Sequence, residues 1–270
     1  MRLVPKDLFV LREEPPVLTG RLLGVLCLAL VLVGWWLATL GAAEERLVSP
    51  TILPSPSDVA GSLVPLLTER ALLESIAATL WRVVVGFALA IAVGVPAGML
   101  AGSWRAAQSF LAPLVLLGRN TPIAALIPLT ILWFGIGETQ KVMFIFVAAV
   151  PFVFSDAASA VIGIPARYVE TAETLGARPW QVVTKVLVPL SLPATYTSLR
   201  HLFGLAFGYI MLAELINAKH GLGYLLSVSQ RRGLAEHIFL ILIVIGLLAY
   251  GIDRLLVFFQ RGLFPYRSDT

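Results

Sequence analysis

Several ionisable side chains interrupt stretches of this chain that are otherwise apolar, among them Arg119, Asp156, Arg200, His201 and Glu214. A charge at mid-membrane costs about 2.5–3.5 kcal/mol on insertion scales, so such a residue normally faces a cavity or a partner. Arg119 stands directly before Asn120, Thr121 and Pro122. A proline there frees backbone carbonyls, and broken helix at membrane depth is tolerated where it lines a cavity. Unwound backbone there exposes N–H donors as well, and Arg119 beside them suits a small oxyanion, because its planar fork binds two oxygens at once. The competing reading is a helix-end arginine that reaches the headgroups or pairs with Asp156. Asp156 itself reads as a partner of Arg119, Arg200 or a backbone group, or as a solute contact. Glu214, near an outer helix end, reads as a gate, a contact for an external protein, or a solvated end. His201 reads as a structural histidine and Arg82 as an interfacial anchor. Arg119, Asn120, Pro122, Asp156 and Glu214 are therefore the candidate translocation residues. No catalytic or metal site is expected. The three histidines (201, 220, 237) form no His-Glu-x-x-His, no Gly-x-Ser-x-Gly is present, and the single cysteine, Cys27, lies in an apolar run.

The elements that must hold these residues are membrane helices. Of the 270 residues, 58% are hydrophobic and 13% charged, and the mean hydropathy is +0.89. A soluble domain, with a charged share of roughly 25%, could not hide that much apolar surface. The net charge of +4 forms no basic cluster interleaved with aromatics, so no nucleic-acid partner is expected. About 20 apolar residues span the hydrocarbon. Spans are predicted at Leu22–Ala43, Val83–Trp104, about Phe110–Gly135, Val142–Ile162, Leu192–Leu215 and Ile238–Phe259. The third is broken at Arg119-Asn120-Thr121-Pro122 and could split in two. The first exceeds a signal-peptide core and is read as retained. The fold class is all-α: a cytoplasmic segment 1–21, then one transmembrane domain over 22–270.

Lys and Arg in the short loops set the orientation. With a cytoplasmic N-terminus the inner side holds Arg2, Lys6, Arg12, Arg21, Arg105, Arg167, Arg178, Lys185, Arg254, Arg261 and Arg267. The outer side holds Arg46, Arg70, Lys141, Lys219, Arg231 and Arg232. The bias puts both termini in the cytoplasm. Outside lie a Pro-rich connector over 44–73, whose SLVPLLTERALLESI reads as an interfacial helix, and a second segment over 216–237 with the glycine turn HGLGYLL.

The same bias puts ETAETLGARPWQVVTKVLVPLSLP (170–193) in the cytoplasm. Pro165 can open a helix that Gly176 stops, and Pro179 suits the first turn of a second helix, which Pro189 and Pro193 close. Tyr168, Ala172 and Leu175 share a face of the first helix, with Glu170 and Glu173 nearer the other. Trp180, Val183 and Leu187 form a stripe on the second. Such a pair suits docking into a groove on a soluble partner; the plainer reading is a loop at the headgroups.

This segment resembles the EAA loop of ABC importer permeases. Glu170, Ala172, Gly176, Val186 and Pro189 match at the right offsets, while Thr171 replaces the first Ala and Val186 and Val188 replace Ile and Leu. TLGARPWQVV and VLVPLSLP are similar to the branch importing nitrate, taurine and alkanesulfonates. So are LPSPSDV (53–59), WRVVVGF (81–87), IPLTILWFGIGETQK (127–141) and AELINAKHGLGYLL (213–226). The resemblance implies a type I-like permease fold in the bacterial inner membrane. It also implies that the loop at about 163–191 forms coupling helices docking two ATPase subunits, through Glu170, Thr171, Ala172, Glu173, Gly176, Ala177, Arg178 and Pro189. The chain has no Gly-x-x-x-x-Gly-Lys-Ser/Thr, so ATP and Mg belong to those partners and no cofactor to this chain. Further implied partners are a second permease copy in a homodimer, a periplasmic or lipid-anchored solute-binding protein, and membrane lipid. The implied cargo is a small oxyanion or sulfonate (nitrate, taurine, alkanesulfonate or bicarbonate type), or else a small heterocycle such as a vitamin precursor. The rival class is an ion-gradient-driven transporter using a membrane Asp and Arg as a proton relay, which leaves the cytoplasmic helix pair unexplained.

Overall fold

A computed structural model of the chain describes residues 16–41, 46, 48–216 and 218–265. Arg2, Lys6, Arg12 and Arg267 of the charge tally, most of the predicted segment 1–21, and parts of the connector 44–73 lie outside the described residues. Every element among those described is helical: α1 (Val17–Ala38), α2 (Pro56–Gly61), α3 (Leu63–Thr68), α4 (Leu72–Ser103), α5 (Arg105–Asn120), α6 (Leu126–Phe134), α7 (Glu138–Ile162), α8 (Ala166–Thr174), α9 (Pro179–Val182), α10 (Val188–Glu214), α11 (Leu222–Arg231) and α12 (Ala235–Leu263).

Five helical segments are long and apolar enough to cross a membrane, and α5 with α6 makes a sixth if the bent pair counts as one span. Helix register decides the count. Gly86 lies against Ile145, Gly94 against Val153, Gly98 against Ala157 and Gly102 against Val161, so α4 and α7 run in the same direction. The chain between two parallel spans must cross back, and α5 with α6 is that crossing, bent by 92°. The bend is written in Asn120-Thr121-Pro122. A proline pushes the residue before it out of the helical region, and Thr121 is extended, at φ −72° and ψ 127°.

The α4–α7 contact is the centre of the fold. Gly94-x-x-x-Gly98-x-x-x-Gly102 puts three bare backbones on one stripe of α4, the pattern that lets membrane helices approach closely. A Cβ at Gly98 would collide with the Phe154 carbonyl oxygen, and one at Gly102 would sit 2.6 Å from that of Ala158. Val83, Phe87, Phe144, Ile145, Val153, Phe207 and Ile210 join α4, α7 and α10 into one buried core. Helix α1 stands apart, its apolar window entirely unburied, and is tied back where Trp35 Nε1 donates to the Pro54 carbonyl at 2.9 Å.

Several predicted boundaries move. The second span begins at Leu72, not Val83, and absorbs the latter half of the expected interfacial helix, of which α3 is the separate remainder. Arg82 therefore lies inside the span. Pro189 and Pro193 do not close a helix: the chain runs from Pro179 through a π-helical turn at Val183–Leu187 and on to Glu214. A proline clashes with the carbonyl four residues earlier. The widened π turn relieves that clash for Pro189, so the segment from Pro179 and the span after it form one continuous rod.

Candidate functional site

Ionisable and exposed apolar residues gather at three levels: the end of the bundle bearing residues 163–191, the opposite end, and the interior between them. At the first, α8 stops by a complete left-handed cap. Gly176 takes φ +81°, its N–H donates to the Glu173 carbonyl at 2.9 Å, and the Ala177 N–H donates to the Ala172 carbonyl at 3.0 Å. Pro179 opens α9, and the Gln181 side chain accepts from the Arg178 N–H at 2.8 Å. Val182, Val183 and Leu187 are buried with Met99, Ala157 and Val161 of α4 and α7, and Val169, Ala172 and Ala177 pack around them. Glu170, Thr171, Glu173, Gly176, Arg178 and Pro189 stay exposed.

One expected face is redrawn. Ala172 turns inward but Leu175, read as its face partner, is 82% exposed. As the capping residue it leaves the helical path. The pair thus offers an exposed leucine at its tip beside Glu173. Trp180, read as part of the apolar stripe, is more than half exposed. It stacks on Trp104, at the α4–α5 corner, with ring centroids 5.6 Å apart and planes within 7°.

At the opposite end the sequence reading missed a buried charge cluster. The Arg82 side chain is 3% exposed and that of Glu214 not at all, and Nη1 of Arg82 meets Oε1 of Glu214 at 2.7 Å. Arg82 also donates from Nη1 to the His220 carbonyl at 2.8 Å, and from Nε and Nη2 to Glu138 at 2.5 and 2.7 Å. Glu214 further accepts from Thr79 Oγ1 at 2.8 Å and from the Gly223 N–H at 2.9 Å. The Leu222 N–H in turn donates to Thr79 at 3.0 Å. Buried Lys141 caps the Gly137 carbonyl at 3.1 Å. Every polar group of the carboxylate is engaged, as a buried charge requires. Glu214 is a structural pin joining α4, α7, α10 and the HGLG turn, with no open surface to present to a solute. Gly221, at φ +138°, has no room for a Cβ because the Glu214 carboxylate fills it. The available signal was helical spacing: Thr79 and Arg82 share a face of α4.

In the interior, the Arg119–Asp156 ion pair that the competing reading allowed does not form. Arg119 Nη1 donates to Ser155 Oγ at 2.6 Å, and the guanidinium lies over Phe152, 5.5 Å from the ring centroid. Arg200 pairs with Asp253 of α12 at 3.1 Å and donates to Gln260 at 3.1 Å. Asp156 has no hydrogen-bonded cation among the described residues but lies within the electrostatic reach of both Arg119 and His201. Arg119, Asn120 and His201 are exposed on this single chain and Asp156 is half-buried, while Pro122 begins the linker into α6. No group of His, Cys, Asp and Glu among the described residues could hold a metal ion.

Residues 94–265 match the family described as binding-protein-dependent transport system inner membrane component. A probable ABC transporter permease protein of Brucella abortus (strain 2308) is 37% identical over 253 residues, covering 93% of this chain and 98% of that protein. The taurine transport system permease protein TauC of Escherichia coli (strain K12) is 31% identical over 248 residues, covering 90% of this chain and 89% of its own length. Among solved structures, an inward-facing conformation of the MetNI methionine ABC transporter superposes with a TM-score of 0.64, covering 71% of this chain and 95% of the matched one at 24% identity, which speaks to the fold alone.

Proposed function

The chain belongs to the family of binding-protein-dependent transport system inner membrane components, and from that premise we propose how it couples ATP hydrolysis to import and what it carries. It is the transmembrane permease subunit of an ATP-driven importer, a transport component rather than an enzyme. Two copies around a two-fold axis enclose the path, each engaging one ATPase that holds ATP and Mg. A solute-binding protein delivers cargo to the outer face. The membrane is the bacterial inner membrane with both termini cytoplasmic, an orientation supported by the lysine and arginine bias. The cargo is a small oxyanion or sulfonate, a class favoured by the likeness to TauC.

The observation that carries the coupling role is how the helix pair is seated. Its inner face is fixed in the core of α4 and α7 while Leu175, Glu173 and Arg178 face outward. A partner gripping that outer face moves the spans, because α9 continues into α10 without a break in the rod. Glu170, Thr171, Ala172, Glu173, Gly176, Ala177, Arg178 and Pro189 are the coupling set. Ala172 and Ala177 hold the pair to the bundle, and the exposed members meet the ATPase. The solute path runs past Arg119, Asn120 and Asp156. Glu214 holds the outer end and stays out of the path.

Gly176 gives the test. A side chain at φ +81° is strained, about 1–2 kcal/mol for an L-residue, and opens the cap. Gly176→Val should leave the permease inserted at normal abundance but cut co-purification of the ATPase by at least tenfold. Undiminished co-purification would remove the cap from the docking surface. Uptake abolished by uncouplers yet insensitive to ATP depletion would instead favour an ion-gradient mechanism.

A further inference from the structure

We infer that the cavity between α5 and α7 is a way-station for a small monoanion inside the permease, with Arg119 as its cationic group and Gln108, Ser155 and Ser159 as its neutral polar wall. The cavity measures about 220 Å³, well above the roughly 10–15 Å³ that a single water needs. Its walls are single faces of two helices. Gln108, Ala112, Val115, Leu116 and Arg119 recur on α5 at the three- and four-residue spacing of one stripe, and Ser155 and Ser159 lie one turn apart on α7. Arg119 is the only ionisable group in the lining. Of its guanidinium, Nη1 is bonded to Ser155, while Nε and Nη2 meet no acceptor among the described residues. The guanidinium carbon lies over the Phe152 ring, 5.5 Å from its centroid, within cation–π reach.

A planar fork with spare parallel donors, over an aromatic ring and beside the Ser155 hydroxyl, with Ser159 one turn further along α7, is matched by two oxygens of one nitrate or sulfonate group. Asp156, one residue from Ser155, is outside the lining yet acts electrostatically with Arg119. Its charge offsets part of the arginine's, so the site attracts a monoanion without holding it, as a transport path requires. This deepens the importer reading and rests on it for the path.

The test uses the full chain in native membranes. With Cys27→Ser removing the single cysteine, Ser159→Cys places a thiol in the wall. Its rate of modification is measured with the anionic 2-sulfonatoethyl and the cationic 2-trimethylammonioethyl methanethiosulfonate, each normalised to its rate with free thiol. The anionic reagent should be favoured severalfold, and Arg119→Gln should lower the anion-to-cation ratio about tenfold. Millimolar methanesulfonate or nitrate should slow labelling by a neutral methanethiosulfonate. Arg119→Lys should keep the charge preference but lose most of that protection, since a point charge lacks the fork. A ratio unmoved by Arg119→Gln, or protection by tetramethylammonium equal to that by nitrate, would overturn the site. No ATPase takes part in the labelling, so a negative result leaves the import function standing. Conversely, loss of ATPase docking in Gly176→Val leaves the labelling result unaffected.

Discussion

Substitution of Arg82 should be the most damaging single change in the half of the bundle opposite residues 163–191. Arg82→Ala leaves the Glu214 carboxylate at zero exposure with only the Thr79 hydroxyl and the Gly223 N–H as donors. Breaking a buried ion pair by removing one partner costs about 3–5 kcal/mol. At about 2–4 °C per kcal/mol for chains of roughly this size, the melting temperature should fall by about 6–20 °C. Glu138→Ala removes a bidentate partner of the same arginine, yet the Glu138 side chain is 64% exposed. Water can replace it, so the loss should stay within about 1 kcal/mol. The double variant Arg82→Met with Glu214→Gln removes both charges and keeps an amide for Thr79 and Gly223, and should recover most of the lost stability. The assay is thermal unfolding of the purified permease in lipid nanodiscs, followed by tryptophan fluorescence. A shift below about 4 °C for Arg82→Ala, or a double variant whose loss equals the sum of its singles, would refute the buried pin.

Two further outcomes follow from packing. Gly98→Leu drives a side chain into the Phe154 carbonyl and the Ala157 methyl across the α4–α7 contact; overpacking costs about 1–3 kcal/mol, so membrane abundance should fall, whereas Gly246→Leu, with nothing within 4 Å of its Cβ position, should be neutral in the same immunoblot. Trp180→Ala removes the stack on Trp104, worth about 0.5–1.5 kcal/mol beyond its buried area; in proteoliposomes with the partner ATPase it should weaken solute-stimulated hydrolysis severalfold, and Trp180→Phe should restore most of it.

Much of the architecture was legible in order along the chain. Apolar runs of membrane length give the spans, and the breaks at Asn120-Thr121-Pro122 and Gly176 act within a residue or two of themselves. A proline displaces the residue before it, and a glycine takes a positive φ, whatever packs nearby. The helical continuity through Pro189 was not legible, because the π turn that relieves the proline is stabilised by burial of Val183 and Leu187 against α4 and α7. The same holds for the start of the second span. Charged residues from Glu74 to Arg82 look like a boundary in a hydropathy reading, but there Arg82 is neutralised by carboxylates 56 and 132 residues away.

The sequence by itself determined what depends on composition and near neighbours: an all-helical membrane chain and a capped helix pair between two spans. Only the tertiary structure decided which charges meet. Arg82 found Glu214 and Glu138, Arg200 found Asp253, and Arg119 was left with a serine and a cavity. The physical reason is that the fate of a charge in a membrane depends on the groups around it, and spans far apart in the chain supply those groups.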